Sequence, residues 1–219
     1  MNKHVENTKN QIDNTLIQLY ELGFLRVRKE IAHIITEQTE ILTWTKHVPG
    51  RHNAGDAFNT LNQYATIYET GAYHAILFDG SIVRAFFEFQ KNLLIKQSLL
   101  YWPTPVFIKA EDVAQNGIRE ALDYHLCDLS CDSKELRMRT PFRLDFDSTN
   151  ATETHPGSHV HIQHSDCRLS CKNPVCFNTF IKFVFTNFYP EFTFLNVIKK
   201  LPILHYSGYE VNEKATISM

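Results

Sequence analysis

Tyr73-His-Ala-Ile-Leu-Phe78, Asp79-Gly-Ser81 and Ile82-Val-Arg-Ala-Phe-Phe-Glu-Phe89 read together as one β-hairpin. Both arms are rich in β-branched and aromatic residues. Asp79-Gly80 supplies the positive φ values that a tight hairpin turn needs. In the second arm Arg84, Phe86 and Glu88 fall on one face, because side chains alternate along a strand. Upstream, Ala32-His-Ile-Ile-Thr36 and Ile41-Leu-Thr-Trp-Thr45 read as a second hairpin around Glu37 to Glu40. Downstream, Leu93 to Trp102 is expected to be a third strand ended by Pro103 and Pro105, an edge strand where proline is tolerated.

Helices flank this β-rich centre. Ile12, Leu16, Leu19 and Leu22 recur at helical spacing, and Gly23 is a stop, so residues 1–24 carry an N-terminal helix. Shorter helices are expected near 59–70 and 118–124, with a loop over 46–58. Phe177 to Phe188 is a strongly apolar helix, started by Asn178 or the preceding Asn-Pro, and its stripe reads as core. The sum is a single α+β domain over residues 1–219: a mostly antiparallel central sheet with N-terminal and C-terminal helices. The polar residues 210–219 are expected to be a mobile tail.

The net charge of -2 gives no global signature of nucleic-acid or membrane binding. Arg137, Arg139 and Arg143 are candidates for a local basic patch. No apolar run reaches the roughly 18 residues of a membrane span, and the N-terminus lacks a signal-peptide core, which predicts a cytoplasmic protein with no membrane partner. The odd count of five cysteines, in the loose groups Cys127/Cys131 and Cys167/Cys171/Cys176, reads as reduced thiols.

The chemistry concentrates in two neighbouring stretches. Arg143-Leu-Asp-Phe-Asp147 alternates polar and apolar residues, with Arg143, Asp145 and Asp147 on one face and Leu144 and Phe146 on the other. His155-Pro-Gly-Ser-His-Val-His-Ile-Gln-His164 holds four of the eleven histidines. Within it His159, His161 and Gln163 share a face, and Val160 and Ile162 face the core. The connection from Ser148 to Gly157 has loop composition, so the two strands are expected to pair as neighbours. An arginine, one or two aspartates and two histidines would then converge on one surface.

Phe78-Asp-Gly-Ser-Ile82, Leu99-Leu-Tyr-Trp-Pro103-Thr-Pro105, Arg143-Leu-Asp-Phe-Asp147, His155-Pro-Gly-Ser-His159-Val-His161-Ile and Phe180-Ile-Lys-Phe-Val-Phe-Thr-Asn-Phe-Tyr189 together resemble a bacterial family catalogued only as a domain of unknown function. The resemblance covers residues 60–190. The order of Asp-Gly-Ser hairpin, Glu-bearing strand, Arg-x-Asp strand, His-Pro loop and His-x-His strand also looks like small bacterial toxins of the TumE type. That likeness implies a ribonuclease toxin paired with an antitoxin. His155, His159, His161, Arg143 and Asp145 fall on its matching positions. The chain is longer than such toxins, and it has His-Val-His where they carry denser histidines.

Three functions follow as expectations. The first is a toxin-like or phage-defence-associated endoribonuclease that needs no metal or other cofactor and acts on RNA. Histidine suits both proton roles of such chemistry, and arginine suits the phosphate. His159 and His161 are the acid/base pair, His155 a further catalytic candidate, Arg143 the phosphate clamp and Asp145 the orienter. Arg84, Glu88 and Arg168 are candidate substrate-binding residues. The second is a metal-dependent hydrolase with a transition metal at His159 and His161, completed by Asp145, His155, His164 or Cys167. The third is a non-enzymatic, partner-binding subunit of a toxin–antitoxin or defence complex. A protein partner, antitoxin or complex subunit, is expected because a free nuclease would harm its host. The plain alternative for His159 and His161 is a pair of hydrogen-bonded structural side chains. His4, His33, His47, His52, His74, His125 and His205 are read as structural or solvated. Arg84 and Glu88 could equally form a same-face ion pair.

Overall fold

A computed structural model describes residues 3–47, 60–127, 136–137, 139–152, 155–164, 166–192 and 195–206. The chain order is α1 (Lys3–Glu21), β1 (Leu25–Arg28), β2 (Ile31–Ile35), β3 (Glu40–Trp44), α2 (Leu61–Thr70), β4 (Ala75–Leu77), β5 (Ile82–Gln90), β6 (Leu93–Trp102), α3 (Ala110–Cys127), β7 (Phe142–Asp147), β8 (Ser158–Ile162), β9 (Leu169–Ser170), α4 (Phe177–Phe188) and α5 (Leu195–Lys199). Every strand pairing is antiparallel, and the sheet runs β1-β4-β5-β6-β7-β8-β9. The fold is α+β, as the sequence predicts, with helices at both ends.

The long strand β5 organises the sheet by pairing with two partners along one edge. Near its start Val83 faces Ala75 of β4, and near its end Phe89 faces Glu40 of β3. The β2–β3 hairpin is thereby joined to the main sheet rather than standing apart. Along its other edge β5 pairs with β6, from Ile82 opposite Trp102 to Gln90 opposite Leu93.

The β4–β5 turn differs from the expected two-residue form. Gly80 has φ 88°, whereas Asp79 is not among the residues of positive φ. Leu77 N–H donates to the Ser81 carbonyl at 2.8 Å, and Gly80 N–H donates to Leu77 at 3.0 Å. That pattern is a three-residue loop closed by one left-handed glycine. Nor is β6 an edge strand: it lies between β5 and β7. Pro103 is tolerated because the ladder has already ended at Trp102. The α4 helix begins with Cys176 as its N-cap rather than Asn178. The expected 59–70 helix starts with a capping box in which Thr60 and Gln63 satisfy each other's backbone N–H groups.

One sheet face is apolar but for Gln97, which lies between Phe87 and Phe146 and is bonded to the Val175 backbone. Val83, Ala85, Phe87 and Phe89 of β5, Leu99 and Tyr101 of β6, Phe142, Leu144 and Phe146 of β7 and Val160 of β8 form a single buried cluster with Ile12, Leu16 and Leu19 of α1 and Phe177, Phe180, Ile181, Val184 and Phe185 of α4. The Phe177–Phe188 stripe is therefore core. Ile162, expected to face inward, is 39% exposed because β8 ends there and the chain turns away at Gln163, φ 61°. The opposite face is apolar only at one end. There Ile82, Leu100 and Trp102 are covered by Tyr64 and Ile67 of α2 and Ile118 and Leu122 of α3. Beyond that end the same face carries charges and imidazoles.

The sequence motifs sort between these regions. Phe78-Asp-Gly-Ser81, Tyr101 and Tyr189 meet in one network. The Tyr189 hydroxyl lies 2.9 Å from that of Tyr101, 3.1 Å from both Asp79 carboxylate oxygens and 3.2 Å from Ser81 Oγ. Arg139 pairs with Asp79 at 2.9 Å, and Arg137 stacks on Phe107. Both are thus committed away from Arg143, and the three arginines do not form a basic patch. The expected 46–58 loop lies mostly outside the described residues, as do Cys131 and the 210–219 tail. Cys167, Cys171 and Cys176 are free thiols.

Candidate functional site

Period-two alternation fixes which side chains can meet, and strand register decides which ones do. In β7 and β8, Arg143 stands opposite His161 and Asp145 opposite His159. Extending the rows across the sheet, Arg143 faces Leu100 of β6, which faces Arg84 of β5. Asp145 faces Ser98, which faces Phe86. Two parallel cross-strand rows result: Arg84–Leu100–Arg143–His161 and Phe86–Ser98–Asp145–His159.

The tips of these side chains converge. His161 Nε2 lies 2.9 Å from His159 Nε2 and 3.2 Å from Asp145 Oδ2. One ligand-type atom from each of these three residues falls within 4.8 Å of the others. Arg143 grips Asp145 Oδ2 with both Nε and Nη2 at 2.7 Å. Both histidines are buried, and Asp145 is partly open.

The His155-Pro-Gly-Ser loop orients His159. Its Nδ1–H donates to the Pro156 carbonyl at 2.7 Å. A carbonyl only accepts, so the proton of the neutral ring sits on Nδ1 and the Nε2 lone pair points at His161. Burial is the main cause that pushes the His159 pKa down, to about 4, helped by His161 and His155 and opposed by Pro156 and Asp145. Gly157 lets the loop close over β7: its carbonyl accepts from Asp147 N–H at 2.8 Å, and an added Cβ would meet Ala151 at 3.2 Å.

Asp145 is held as a carboxylate. Burial pushes its pKa up, but Arg143, His161 and Ser98 outweigh that and bring it down to about 2. Asp147, two residues on, takes no part. Its Oδ1 accepts from Thr149 N–H at 2.9 Å and Thr149 Oγ1 at 2.6 Å, and its Oδ2 from Asn150 Nδ2 at 2.7 Å. It builds the loop, so the site has one aspartate rather than two.

The other predicted residues divide. His155 packs edge-on against His159, ring centroids 5.0 Å apart, outside the three-donor cluster. Arg84 lies in the first row and is only 4% exposed. Glu88 is four residues further along β5 on the same face, opposite Lys96, and forms no ion pair with Arg84 among the described residues. Arg168 is exposed, just before β9. His164 is exposed beside Asp166, at 3.6 Å, and Cys167 is outside the cluster.

Two residues at the site escaped the sequence reading. Trp44 stacks on Arg84, the guanidinium carbon 4.8 Å from the ring centre. His47 lies 4.7 Å from Trp44 and 5.6 Å from Phe86, ring centre to ring centre. Trp44 and His47 reach the site because β3 pairs with the distal half of β5, a contact no local pattern announces. Phe86, by contrast, shares its face with Arg84 by parity and was legible.

The molecule is thus an α+β protein with two imidazoles, a carboxylate and two buried guanidiniums gathered on the polar part of an antiparallel sheet. The chain belongs to the family described as "Uncharacterized conserved protein (DUF2290)", which matches residues 25–216. No curated protein and no solved structure matches it. No helix among the described residues is long and apolar enough to cross a membrane.

Proposed function

We propose that this protein is a metal-dependent phosphodiester hydrolase of the nuclease type, with Asp145, His159 and His161 as the ligands of a divalent transition metal. The observation that carries this reading is the contact of His161 Nε2 with His159 Nε2 at 2.9 Å and with Asp145 Oδ2 at 3.2 Å. Neighbouring ligands on a zinc-class ion with bonds of about 2.0–2.2 Å stand about 3 to 3.5 Å apart, so these separations fit coordination. Two neutral imidazoles and one carboxylate are a donor set that suits zinc or iron. The surroundings fit as well. Pro156 fixes the His159 tautomer with Nε2 free to coordinate, and Arg143 orients Asp145. A bound metal would supply an activated water and polarise a phosphoryl oxygen. Arg143 and Arg84 favour an anionic substrate beside it.

A second reading rests on the bare Nε2 of His159. Its ring is neutral near pH 7, so it can act as a base without metal. In that mechanism, however, acid and base act on opposite sides of the phosphorus. Two nitrogens in mutual contact leave no room for a phosphate between them. His159 would then be the base, with a different group as acid. RNA remains the proposed substrate on this reading, and an antitoxin-like partner goes with it.

Metal content and RNA cleavage decide between the two. The expected result is about one zinc-class ion per chain in the wild type, none in a His159→Ala/His161→Ala variant, and cleavage that a chelator stops and added metal restores. Cleavage that persists after chelation, in a protein without stoichiometric metal, supports the metal-free reading. A protein that binds no metal and cleaves nothing refutes both.

A further inference from the structure

We propose that Arg84 and His47 form a phosphate subsite beside the Asp145/His159/His161 cluster, a proposal that deepens the phosphodiesterase reading and rests on it for its biological meaning. Arg84 is almost fully buried, yet its Nη1 is buried without a hydrogen-bond partner, and among the described residues it makes no ion pair. The carboxylate whose charge it senses, Asp145, is taken up by Arg143 at 2.7 Å. A buried guanidinium with an unsatisfied N–H is costly, because water is excluded and nothing replaces it. His47 Nδ1 is a second buried polar atom without a partner. Its ring is pinned between Trp44 and Phe86, and Trp44 also stacks on Arg84, so the two orphaned groups share one aromatic wall. With its proton on Nδ1, neutral His47 donates as Arg84 does. Two unsatisfied donors, one of them a permanent cation, call for an anion with several acceptor oxygens.

The position argues for a substrate phosphate rather than a carboxylate or halide. Arg84 lies in the same cross-strand row as Arg143 and His161, two strands from Arg143. Strands are about 4.8 Å apart, so the backbone positions of Arg84 and Arg143 are roughly 10 Å from one another. A phosphodiester held at the metal cluster can thus place a neighbouring phosphate toward Arg84. The partly exposed ring of Phe86 beside it suits an adjoining base. The subsite explains why an arginine occupies a buried position on β5 where an apolar residue would pack at no electrostatic cost.

The test uses chelator-treated full-length protein, so that phosphate binding is read apart from metal. Thermal midpoints are followed as inorganic phosphate replaces chloride at matched ionic strength, and the phosphate Kd is measured by calorimetry. Phosphate stabilises proteins generally through exclusion from their surface, an effect common to every variant and not saturable. The wild type is expected to show a saturable rise in addition. Arg84→Met is expected to lose that rise, to weaken the phosphate Kd by about tenfold or more, and to melt at or above the wild-type temperature without phosphate. His47→Phe keeps the ring stack and removes the donor. It is expected to weaken the Kd several-fold, and it carries the test if Arg84→Met does not fold. The proposal is overturned if the wild type shows no saturable response, if Arg84→Met lowers the phosphate-free midpoint and retains the response, or if His47→Phe binds phosphate like the wild type. Metal binding by Asp145, His159 and His161 is measured separately. Its failure would remove the hydrolase reading and leave the anion subsite standing.

Discussion

Acidification should expose a buried histidine that is no part of the Asp145/His159/His161 cluster. His74, just before β4, is completely buried; its backbone N–H donates to the Val83 carbonyl of β5 at 2.9 Å and its Nδ1 accepts the Ala85 N–H at 3.1 Å. Protonation would destroy that acceptor and place a charge in the core. Burial, the largest cause, lowers its pKa from 6.5 to about 4. In the unfolded chain the ring has its ordinary pKa, so unfolding takes up a proton at any pH between the two values. The contribution is fully present above about pH 6.5 and drains as pH falls toward 4. Linkage gives a loss of about 2 kcal/mol by pH 5 and about 3 kcal/mol by pH 4. Urea unfolding of the wild type and of His74→Asn, at several pH values, isolates the effect. The asparagine amide oxygen can still accept from Ala85, but it does not titrate. Its cavity lowers stability by an amount that does not change with pH, and the gap between the two proteins should close by about 2 to 3 kcal/mol between pH 7 and pH 4. Parallel curves over that range would mean that His74 protonates freely in the native state, and the buried-acceptor account would be refuted.

Other outcomes follow from the same geometry. Arg143→Lys keeps the charge but loses the two-pronged hold on Asp145, so metal affinity should fall by about 10- to 100-fold, read by competition with a chromogenic chelator. His155→Ala should retain stoichiometric metal, because its ring stands outside the three donors; loss of metal equal to that in His159→Ala would place it among the ligands. Tyr189→Phe removes the hydroxyl shared by Asp79, Ser81 and Tyr101 and should cost about 1 to 3 kcal/mol in urea unfolding while leaving metal content unchanged. Induced expression of the wild type should arrest growth and fragment RNA, and the His159→Ala/His161→Ala variant should do neither; identical growth and intact RNA in both would count against a toxin-like nuclease.

Much of the site was legible because it depends on local periodicity. Alternation places Arg143 and Asp145 on one face of β7 and His159 and His161 on one face of β8, and the polar connection from Ser148 to Gly157 makes the two strands neighbours. Those facts need only the two-residue repeat of a strand and a short loop. The apolar α1 and α4 helices were legible for the same reason, since a continuous 3.6-residue stripe must be buried somewhere. Asp147 shows where local pattern stops: it shares the face of Asp145, yet its oxygens are consumed by Thr149 and Asn150, a competition decided by loop geometry.

The sequence alone determined that the chain is α+β, that β5 begins at a glycine-closed hairpin, and that Arg143, Asp145, His159 and His161 lie on β7 and β8. Only the tertiary structure decided which groups touch. Register set the 2.9 Å contact of His159 with His161. The pairing of β3 with the far half of β5 brought Trp44 and His47 to Arg84, from some forty residues earlier in the chain. Burial then turned an arginine read as a substrate-binding candidate or an ion-pair partner of Glu88 into a cation with an unsatisfied N–H beside the cluster. Side-chain periodicity is a property of one strand, whereas desolvation and long-range pairing belong to the assembled sheet, and the charge imbalance that calls for an anion exists only there.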